Sequence, residues 1–179
     1  MKSDEELMLD ARHGARGAFD EIFARYRNAI WAFFRRRVAD ARVAEELAQD
    51  TFVAVIEAAP RYEVRGAFRS YLFGVAYNIL LANRRQSRWQ TESIDDDVRS
   101  AAPKPDDVVW VRRALARLED DDREILMLRE YDGLSYQEIA DVRRIPVNTV
   151  RSQLFRARMA LKTLLAAQRL PEGVGNAFD

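Results

Sequence analysis

The sequence has no cysteine and a single histidine, His13, among 179 residues. The lack of cysteine excludes a disulfide framework, a zinc finger, an iron–sulfur site and a thiol nucleophile. No apolar run approaches the ~20 residues that a membrane-spanning helix needs. The N-terminal segment MKSDEELMLD is acidic, where a signal peptide would be basic and then apolar. We therefore predict a soluble, cytoplasmic protein with no membrane insertion, no metal ion and no cofactor.

Charge is balanced in number but segregated along the chain. The 29 basic and 29 acidic side chains cancel. Residues 143–169 nevertheless hold seven basic residues and no acidic one, whereas residues 112–142 hold five basic and nine acidic ones. A cationic helix after an acidic stretch is typical of a footprint for an anionic polymer such as nucleic acid. The alternative is a solvated helix face that is basic without binding anything.

Apolar residues recur every three or four positions, which predicts helices throughout and no strand. Ser3 and Glu6 have the spacing of a capping box for a first helix, which Gly14 and Gly17 are expected to interrupt. The apolar faces of the next three helices are Phe19, Ile22, Phe23, Tyr26, Ile30 and Phe33; then Val43, Leu47, Phe52, Val55 and Ile56; then Phe68, Tyr71, Leu72, Val75 and Ile79. Residues 60–66 form a loop before the fourth helix.

The C-terminal third has the pattern of a helix-turn-helix. Ser135 and Glu138 form a second capping box, a turn follows at 143–146, and Asn148 is predicted to cap a longer last helix. Asp120–Asp122 are predicted to cap the helix before this pair. On a helical wheel, Ser152, Phe155 and Arg156 lie opposite the apolar stripe of the last helix, and Arg151 and Arg158 lie at its flanks. Because arginine bonds guanine edges and phosphates, the pattern favours DNA binding.

These patterns predict an all-α protein of two small helical domains joined by a flexible acidic linker, with the helix-turn-helix in the C-terminal domain. The predicted units are residues 1–90, a linker at 91–107, residues 108–170 and a tail at 171–179. The linker has no helical periodicity and contains a Pro-Lys-Pro sequence and three consecutive aspartates. As a flexible coil it would span roughly 20–25 Å.

Two stretches resemble bacterial RNA polymerase sigma factors. LSYQEIADVRRIPVNTVRSQLFRARMALKTL resembles their promoter −35 recognition region, and AEELAQDTFVAVIEAAPRYEVRGAFRSYLFGVAYNILLANRRQSR resembles their −10 region. The helix-turn-helix alone also occurs in response regulators, but both matches in this order are highly specific to the sigma-70 family. The short linker between them resembles its extracytoplasmic-function (ECF) group. The resemblance covers most of residues 15–167 and implies a non-catalytic subunit that binds core RNA polymerase, directs it to specific promoters and helps melt the −10 region.

The resemblance also implies roles for individual residues. The segment matching Ala44–Phe52 would dock on the β′ clamp helices, with polymerase contacts from Glu46, Gln49 and Asp50. Loop 60–66 and the helix after it would capture a −10 base from single-stranded DNA, with Tyr62, Phe68, Tyr71 and Asn78 at the base and Arg84, Arg85 and Arg88 on phosphates. Phe68 and Tyr71 also fit the core stripe, so a structural role stays open for both. At the −35 duplex, the implied contacts are Arg151, Ser152, Phe155 and Arg156, with Arg158 beside them.

Three further expectations follow from the resemblance. The apolar surface of the helix at 123–132 would face the β flap, and the acidic linker, Asp95–Asp97 especially, would thread the RNA-exit path. An anti-sigma factor is expected to hold the protein inactive by covering both DNA-binding domains. Tyr71 stands where the family usually has tryptophan, and Arg144 stands where it usually has glycine. Because a left-handed non-glycine residue costs about 1 kcal/mol or more, we expect the turn at 143–146 to be built differently.

Two other classes of protein compete with this interpretation. A stand-alone helix-turn-helix regulator would need a sensory or dimerisation bundle in its N-terminal half, and no phosphoacceptor or ligand-site signature is present there. A helical enzyme would need catalytic residues, but the HExxH, GxxxxGK and GxSxG motifs do not occur in the sequence, and His13 lies in a charged, glycine-flanked stretch. We set the enzyme class aside.

Overall fold

The computed structural model describes residues 2–91 and 106–169. All regular structure in these two ranges is helical, which confirms the all-α fold class. The helices are α1 (Asp4–Arg12), α2 (Arg16–Arg35), α3 (Ala41–Ala58), α4 (Phe68–Thr91), α5 (Asp106–Ala116), α6 (Asp120–Leu126), α7 (Tyr136–Arg143) and α8 (Val147–Arg169). Most of the predicted linker, with Asp95–Asp97, and the 171–179 tail lie outside the described residues. We call α1–α4 the N-terminal domain and α5–α8 the C-terminal domain.

Polar side chains and a glycine set where the first helices begin and end. Ser3 Oγ accepts a hydrogen bond from the Glu6 N–H at 3.1 Å, and the Glu6 carboxylate accepts from the Ser3 N–H at 2.7 Å, which confirms the first capping box. Asp40 caps α3 by accepting from the Arg42 N–H at 2.7 Å. Gly14, with a φ of 87°, separates α1 from α2. Gly17 lies inside α2, so the predicted interruption at that residue was wrong.

The core of the N-terminal domain lies between α2, α3 and α4. Phe33, Phe34 and Phe73 are buried and meet edge to face, with ring centroids 5.1 and 5.8 Å apart for the two pairs that include Phe33. Two predicted core residues are instead exposed: Phe23 by 41% and Ile56 by 47%. Phe23 directly follows Ile22 and Ile56 directly follows Val55, and both preceding residues are fully buried. Because neighbouring positions on a helix are 100° apart, Phe23 and Ile56 lie at the edge of the buried stripe and remain partly in solvent.

The C-terminal domain contains the predicted helix-turn-helix, formed by α7 and α8. Ser135 Oγ accepts from the Glu138 N–H at 3.1 Å and the Glu138 carboxylate accepts from the Ser135 N–H at 2.7 Å, which confirms the second capping box. Arg144 ends α7 in the left-handed conformation, with φ 55° and ψ 45°. The expectation of a differently built turn was therefore wrong. The N–H groups of Arg144 and Ile145 both donate to the Ala140 carbonyl, and these bonds hold the strained residue in place.

Two helices in this domain begin earlier than predicted, α8 by two residues and α6 by one. Helix α8 begins at Val147, so Asn148 lies inside the first turn, where its side chain accepts from Arg151 Nη1 at 3.3 Å. Glu119 occupies the N-cap position of α6 without a side-chain cap bond, and Asp120–Asp122 form the first turn. Carboxylates in a first turn favour the helix through its dipole.

Helix α6 continues into one π-helical turn, Met127–Tyr131, that ends at a buried aspartate. The Asp132 N–H donates to the Met127 carbonyl at 3.1 Å, and Gly133 follows with a φ of 64°. The apolar side chains at 125–128 are all buried. The expected apolar face toward the β flap is therefore not exposed, and Tyr131 is the exposed aromatic residue of this segment.

The two domains pack against each other, with α4 of the N-terminal domain lying against α7. Arg37, two residues beyond the end of α2, and two arginines of α4 form ion pairs with carboxylates of the C-terminal domain across this contact. Sequence patterns treat each domain separately and indicate nothing of this packing.

Candidate nucleic-acid and polymerase interfaces

A groove of about 610 Å³ separates the segment 58–67 and α4 from the C-terminal domain. The N-terminal wall includes Tyr62, Tyr71 and Asn78, which are three of the residues predicted to meet a −10 base. The opposite wall is formed by Asp141, Val142 and Arg144. The structure thus brings the predicted base contacts together, and it places them beside the helix-turn-helix.

The aromatic rings at the groove contact one another, and their exposure to solvent decreases from Tyr71 through Tyr62 to Phe68. The Tyr62 and Tyr71 rings lie 5.3 Å apart at 60°, and Tyr71 is partly exposed while Tyr62 is nearly buried. Phe68 has no exposed surface and packs beneath both rings, 6.2 Å from Tyr62 and 6.1 Å from Tyr71. Burial raises the pKa of both tyrosines above the ordinary value of 10. Their phenols therefore stay protonated near neutral pH and can donate hydrogen bonds.

Helix α1 holds the loop that shapes this groove, a role that the sequence patterns did not indicate. Arg12 Nη1 donates to the Tyr62 carbonyl at 3.1 Å, and the Glu5 carboxylate accepts from the Phe68 N–H at 2.8 Å. The second bond satisfies one of the unpaired N–H groups at the start of α4. Both contacts join residues about 50 or more positions apart, so no local signal could have revealed them.

The predicted phosphate-binding arginines of α4 have different surroundings. Arg84 donates to Glu124 of the C-terminal domain at 3.2 Å. Arg85 is exposed. Arg88 belongs to α4, and its side chain lies outside the described residues.

The exposed face of α8 carries the predicted −35 residues. Arg151, Ser152 and Arg156 are exposed, and Phe155 is 67% exposed. Val150, Leu154 and Ala157 are fully buried on the opposite face. Arg158 differs from Arg151 and Arg156 because it is ion-paired: it donates to Glu130 at 2.7 Å, and also to the Tyr136 hydroxyl at 3.4 Å. A cationic helix that keeps an aromatic residue in solvent has the character of a groove-reading element.

The predicted polymerase-binding residues share one exposed face of α3. Glu46, Gln49 and Asp50 are exposed, and Glu46 lies 3.7 Å from Arg42. Leu47 and Phe52 point into the core. The exposed face continues into Val53 and the misassigned Ile56, which are 51% and 47% exposed. A mixed polar and apolar surface of this kind is typical of a protein–protein contact.

Among residues 2–91 and 106–169, no helix is both long and apolar enough to span a membrane. The same part of the chain holds no cluster of three or more potential metal-ligating side chains.

The exposed cationic recognition helix and the aromatic groove define a DNA-binding protein of two helical domains. Family comparison agrees with both halves. Residues 22–90 match the model for sigma-70 region 2, and residues 109–161 match the model for sigma-70 region 4. The first match contains α3, the loop before α4 and most of α4, and the second contains the helix-turn-helix.

Relatives of similar length match nearly the whole chain. The RNA polymerase sigma-H factor of Pseudomonas aeruginosa is 31% identical over 182 residues, covering 92% of this chain and 94% of the relative. The sigma factor CarQ of Myxococcus xanthus is 33% identical over 166 residues, with coverages of 89% and 95%. The ECF sigma factor SigC of Mycobacterium tuberculosis is 32% identical over 174 residues, with coverages of 89% and 91%.

Solved structures show the same architecture. CnrH, in a complex with the cytosolic domain of CnrY, matches with a TM-score of 0.72 and 27% identity over 93% of this chain and 99% of that one. The sigma factor RpoE of Bartonella quintana, in a complex with the anti-sigma factor NepR, matches with a TM-score of 0.71 and 25% identity over 84% of this chain and 98% of that one.

The chain belongs to the sigma-70 family of RNA polymerase sigma factors, in its ECF group. It is a sigma factor, the non-catalytic subunit that directs RNA polymerase to promoters, and the stand-alone regulator is not favoured.

Proposed function

We propose that the groove beside residues 59–67, the segment that joins α3 to α4 and is called loop 59–67 below, captures an unpaired base of the −10 element. The observation that carries this proposal is the juxtaposition of a partly exposed ring, Tyr71, with the exposed amide of Asn78 in one groove of region 2. Stacking on an aromatic face stabilises a bound base by about 1–3 kcal/mol, which is comparable to the few kcal/mol needed to unstack it. Phe68 supports the tyrosines from the core, and Arg85 and Arg88 neutralise phosphates of the strand.

The exposed face of α8 is proposed to bind the −35 element in the major groove. Arg151 and Arg156 supply hydrogen-bond donors to base edges or phosphates, and Phe155 supplies an apolar surface for a thymine methyl group. Ser152 already donates to the Asn148 carbonyl at 2.7 Å, so its oxygen is left as an acceptor. Arg158, paired with Glu130, is proposed to contact a backbone phosphate at most.

The exposed face of α3 is proposed to dock on the β′ clamp helices through Glu46, Gln49 and Asp50, with Val53 supplying apolar contact. Gln49→Ala with Asp50→Ala should weaken binding to core polymerase. Asp20→Ala with Asn28→Ala, which removes one carboxylate and one amide from exposed positions of α2 outside this face, is the matched control and should leave binding unchanged. An equal loss of polymerase binding in the double variant and in the control would contradict this assignment.

Regulation and organisation are proposed from the relatives and the helix bounds. The RpoE–NepR complex supports an anti-sigma factor as a partner of this chain. Because a sigma factor acts together with RNA polymerase, we propose that this protein is located in the cytoplasm. The end of α4 at Thr91 and the start of α5 at Asp106 lie within two residues of the proposed domain limits, 1–90 and 108–170.

The decisive experiment is run-off transcription with purified core polymerase, using promoters selected from a library with randomised −35 and −10 segments. Asn78→Ala should weaken initiation on templates whose −10 strand is unpaired. Arg156→Ala should weaken dependence on the −35 duplex. Their controls are Asn28→Ala and Arg117→Ala, which remove the same exposed side chains from faces outside the proposed sites. A protein that shifts duplex DNA but neither binds core polymerase nor supports initiation would reinstate the stand-alone regulator.

A further inference from the structure

Helix α1 lies ahead of residues 22–90, which match sigma-70 region 2, and yet it is built into the N-terminal domain. Leu7 is 2% exposed and Met8 is fully buried. The helix packs against α2, against α4 and against the short turn at 59–61 that begins loop 59–67. Because a chain terminus is usually loose unless burial or hydrogen bonds tie it down, this packing gives α1 a fixed place beside the −10 groove.

Two polar side chains of α1 hold the main chain at both ends of the exposed part of this loop. Arg12 Nη1 donates to the Tyr62 carbonyl at 3.1 Å, and the Glu5 carboxylate accepts from the Phe68 N–H at 2.8 Å. Both partners are main-chain groups, so these bonds fix the path of the backbone whichever side chains lie between them. Residues 63–67 are all exposed, so burial of their own side chains does not fix that path.

A third link between α1 and the groove runs through aromatic rings. The Asp4 carboxylate accepts a hydrogen bond from the Tyr26 hydroxyl of α2. The Tyr26 ring meets the Phe68 ring edge to face, with the two centroids 5.8 Å apart and the planes at 66°. Because Phe68 packs beneath the tyrosines of the groove, α1 is coupled to the groove through side chains as well as through the main chain.

The surroundings of Arg12 favour a role in positioning the loop over a role in folding. Arg12 is exposed, and it forms no ion pair within residues 2–91 and 106–169. Removal of an exposed side chain leaves no cavity and normally changes stability little. A charged donor nevertheless forms a stronger hydrogen bond than a neutral one, so the bond to the Tyr62 carbonyl restrains the loop more than it stabilises the domain.

The restrained segment forms one wall of the groove. All of residues 61–67 except Val64 line it, so a movement of the loop changes the width of the groove and the positions of its main-chain donors and acceptors. Enzymes that capture an unpaired base select it by the shape of the pocket and by hydrogen bonds to its Watson–Crick edge. The path of the loop therefore decides between bases, whereas stacking on Tyr71 tolerates any base.

We propose that Arg12 and Glu5 are positioning residues for −10 recognition, which hold the path of loop 59–67 and thereby set which unpaired base the groove accepts. Neither side chain has to touch DNA in this role, because each acts through a main-chain group at one end of the loop. The inference rests on the proposed function of the groove.

The test compares base preference with overall binding, using the full chain bound to core polymerase. The probe is a set of fork-junction templates with a constant −35 duplex, taken from the selected promoters, and a randomised unpaired −10 strand. Sequencing of the bound and unbound fractions gives the preference for each base at each position. A variant that merely folds less well binds every template in the same reduced proportion, whereas a displaced loop changes the ratios between bases.

Arg12→Ala and Glu5→Ala should each reduce the preference for the favoured base by roughly two- to tenfold, the range that one hydrogen bond contributes to an equilibrium constant. The reduction should fall at the −10 position where Asn78→Ala also reduces the preference. Binding to core polymerase should be unchanged. Because the ratios do not depend on the folded fraction, the test holds even for a variant with a lower Tm.

One rescue variant and one matched control complete the design. Glu5→Gln keeps a side-chain oxygen that can accept from the Phe68 N–H, so it should restore most of the preference lost in Glu5→Ala. Arg27→Ala removes an arginine from an exposed position of α2, and it is the control for Arg12→Ala. It should leave every ratio between bases unchanged.

Two results would overturn the proposal: unchanged base ratios in both alanine variants, or a loss in Glu5→Gln as large as the loss in Glu5→Ala. Failure of the proposed function gives a different result, because Asn78→Ala would then also leave the preference of the parent protein unchanged. If Asn78→Ala changes the preference and the two α1 variants do not, only the role of α1 is wrong.

Discussion

Replacing Arg144 by glycine should stabilise the C-terminal domain. Arg144 is the described non-glycine residue with a positive φ, 55°, at the turn between α7 and α8. The left-handed region costs a non-glycine residue about 1–2 kcal/mol, because Cβ approaches the following carbonyl oxygen. Glycine avoids this cost but loses roughly 0.4–1 kcal/mol through greater freedom of the unfolded chain.

The matched comparison is Arg144→Gly against Arg144→Ala, since both remove the same exposed charge. The net advantage of glycine should be about 0.5–1 kcal/mol, or roughly 2–5-fold in the folding equilibrium. For a domain of 60–100 residues this corresponds to roughly 2–8 °C in Tm. Urea and thermal unfolding of the full chain, followed by circular dichroism, would measure the difference.

Equal stability of the two variants would refute the argument from backbone strain. A glycine variant less stable than the alanine variant would show that the unfolded-state entropy of glycine outweighs relief of the strain. In either case the conformational penalty at Arg144 would be no larger than the entropic cost of glycine, roughly 0.4–1 kcal/mol.

Three further predictions concern the N-terminal domain. Asp40→Ala should lower the free energy of unfolding by about 1 kcal/mol because α3 loses its cap. Asp40→Asn keeps a capping side chain and should retain most of this stability in urea titrations. Phe68→Ala should lower the free energy of unfolding by about 3–5 kcal/mol, because it leaves a cavity in the core. Asn78→Ala should change that free energy by less than about 0.5 kcal/mol and yet weaken binding of single-stranded DNA. The reverse pattern would exclude the proposed roles. Burial and the hydrogen bond to Asp4 raise the pKa of Tyr26, so stability should be full below pH 10 and fall above it as the unfolded phenol ionises; Tyr26→Phe should flatten this fall in unfolding titrations near pH 11.

Local signals in the sequence predicted the helices and most of their starts. The capping boxes at Ser3 and Ser135 were confirmed because their partners lie three residues away. The prediction at Asn148 was wrong because the Pro146 carbonyl already accepts hydrogen bonds from the Thr149 and Val150 N–H groups, so the helix begins at Val147. Phe23 and Ile56 were misassigned because periodicity identifies a stripe but does not give its width.

Contacts between distant residues could not be predicted. The partners of Arg37 lie 87 and 95 positions away, and only the packing of the two domains brings them together. One signal was present, the acidic excess of residues 112–142, but a charge excess indicates no partner. The π-helical turn that directs Asp132 toward Arg37 has no sequence pattern comparable to a cap or a heptad.

The anchoring of loop 59–67 from outside has a consequence for how promoter preference can change. Its ends are held by Arg12 at the Tyr62 carbonyl and by Glu5 at the Phe68 N–H, and the exposed side chains of Glu63 and Arg65 pair only with each other among the described residues. The residues between the anchors, 63–67, are exposed, and among them Gly66 has a φ of 150°, which favours glycine. Apart from Gly66, these residues can therefore be substituted without loss of buried packing, so promoter preference can change here while the scaffold that presents them keeps its shape.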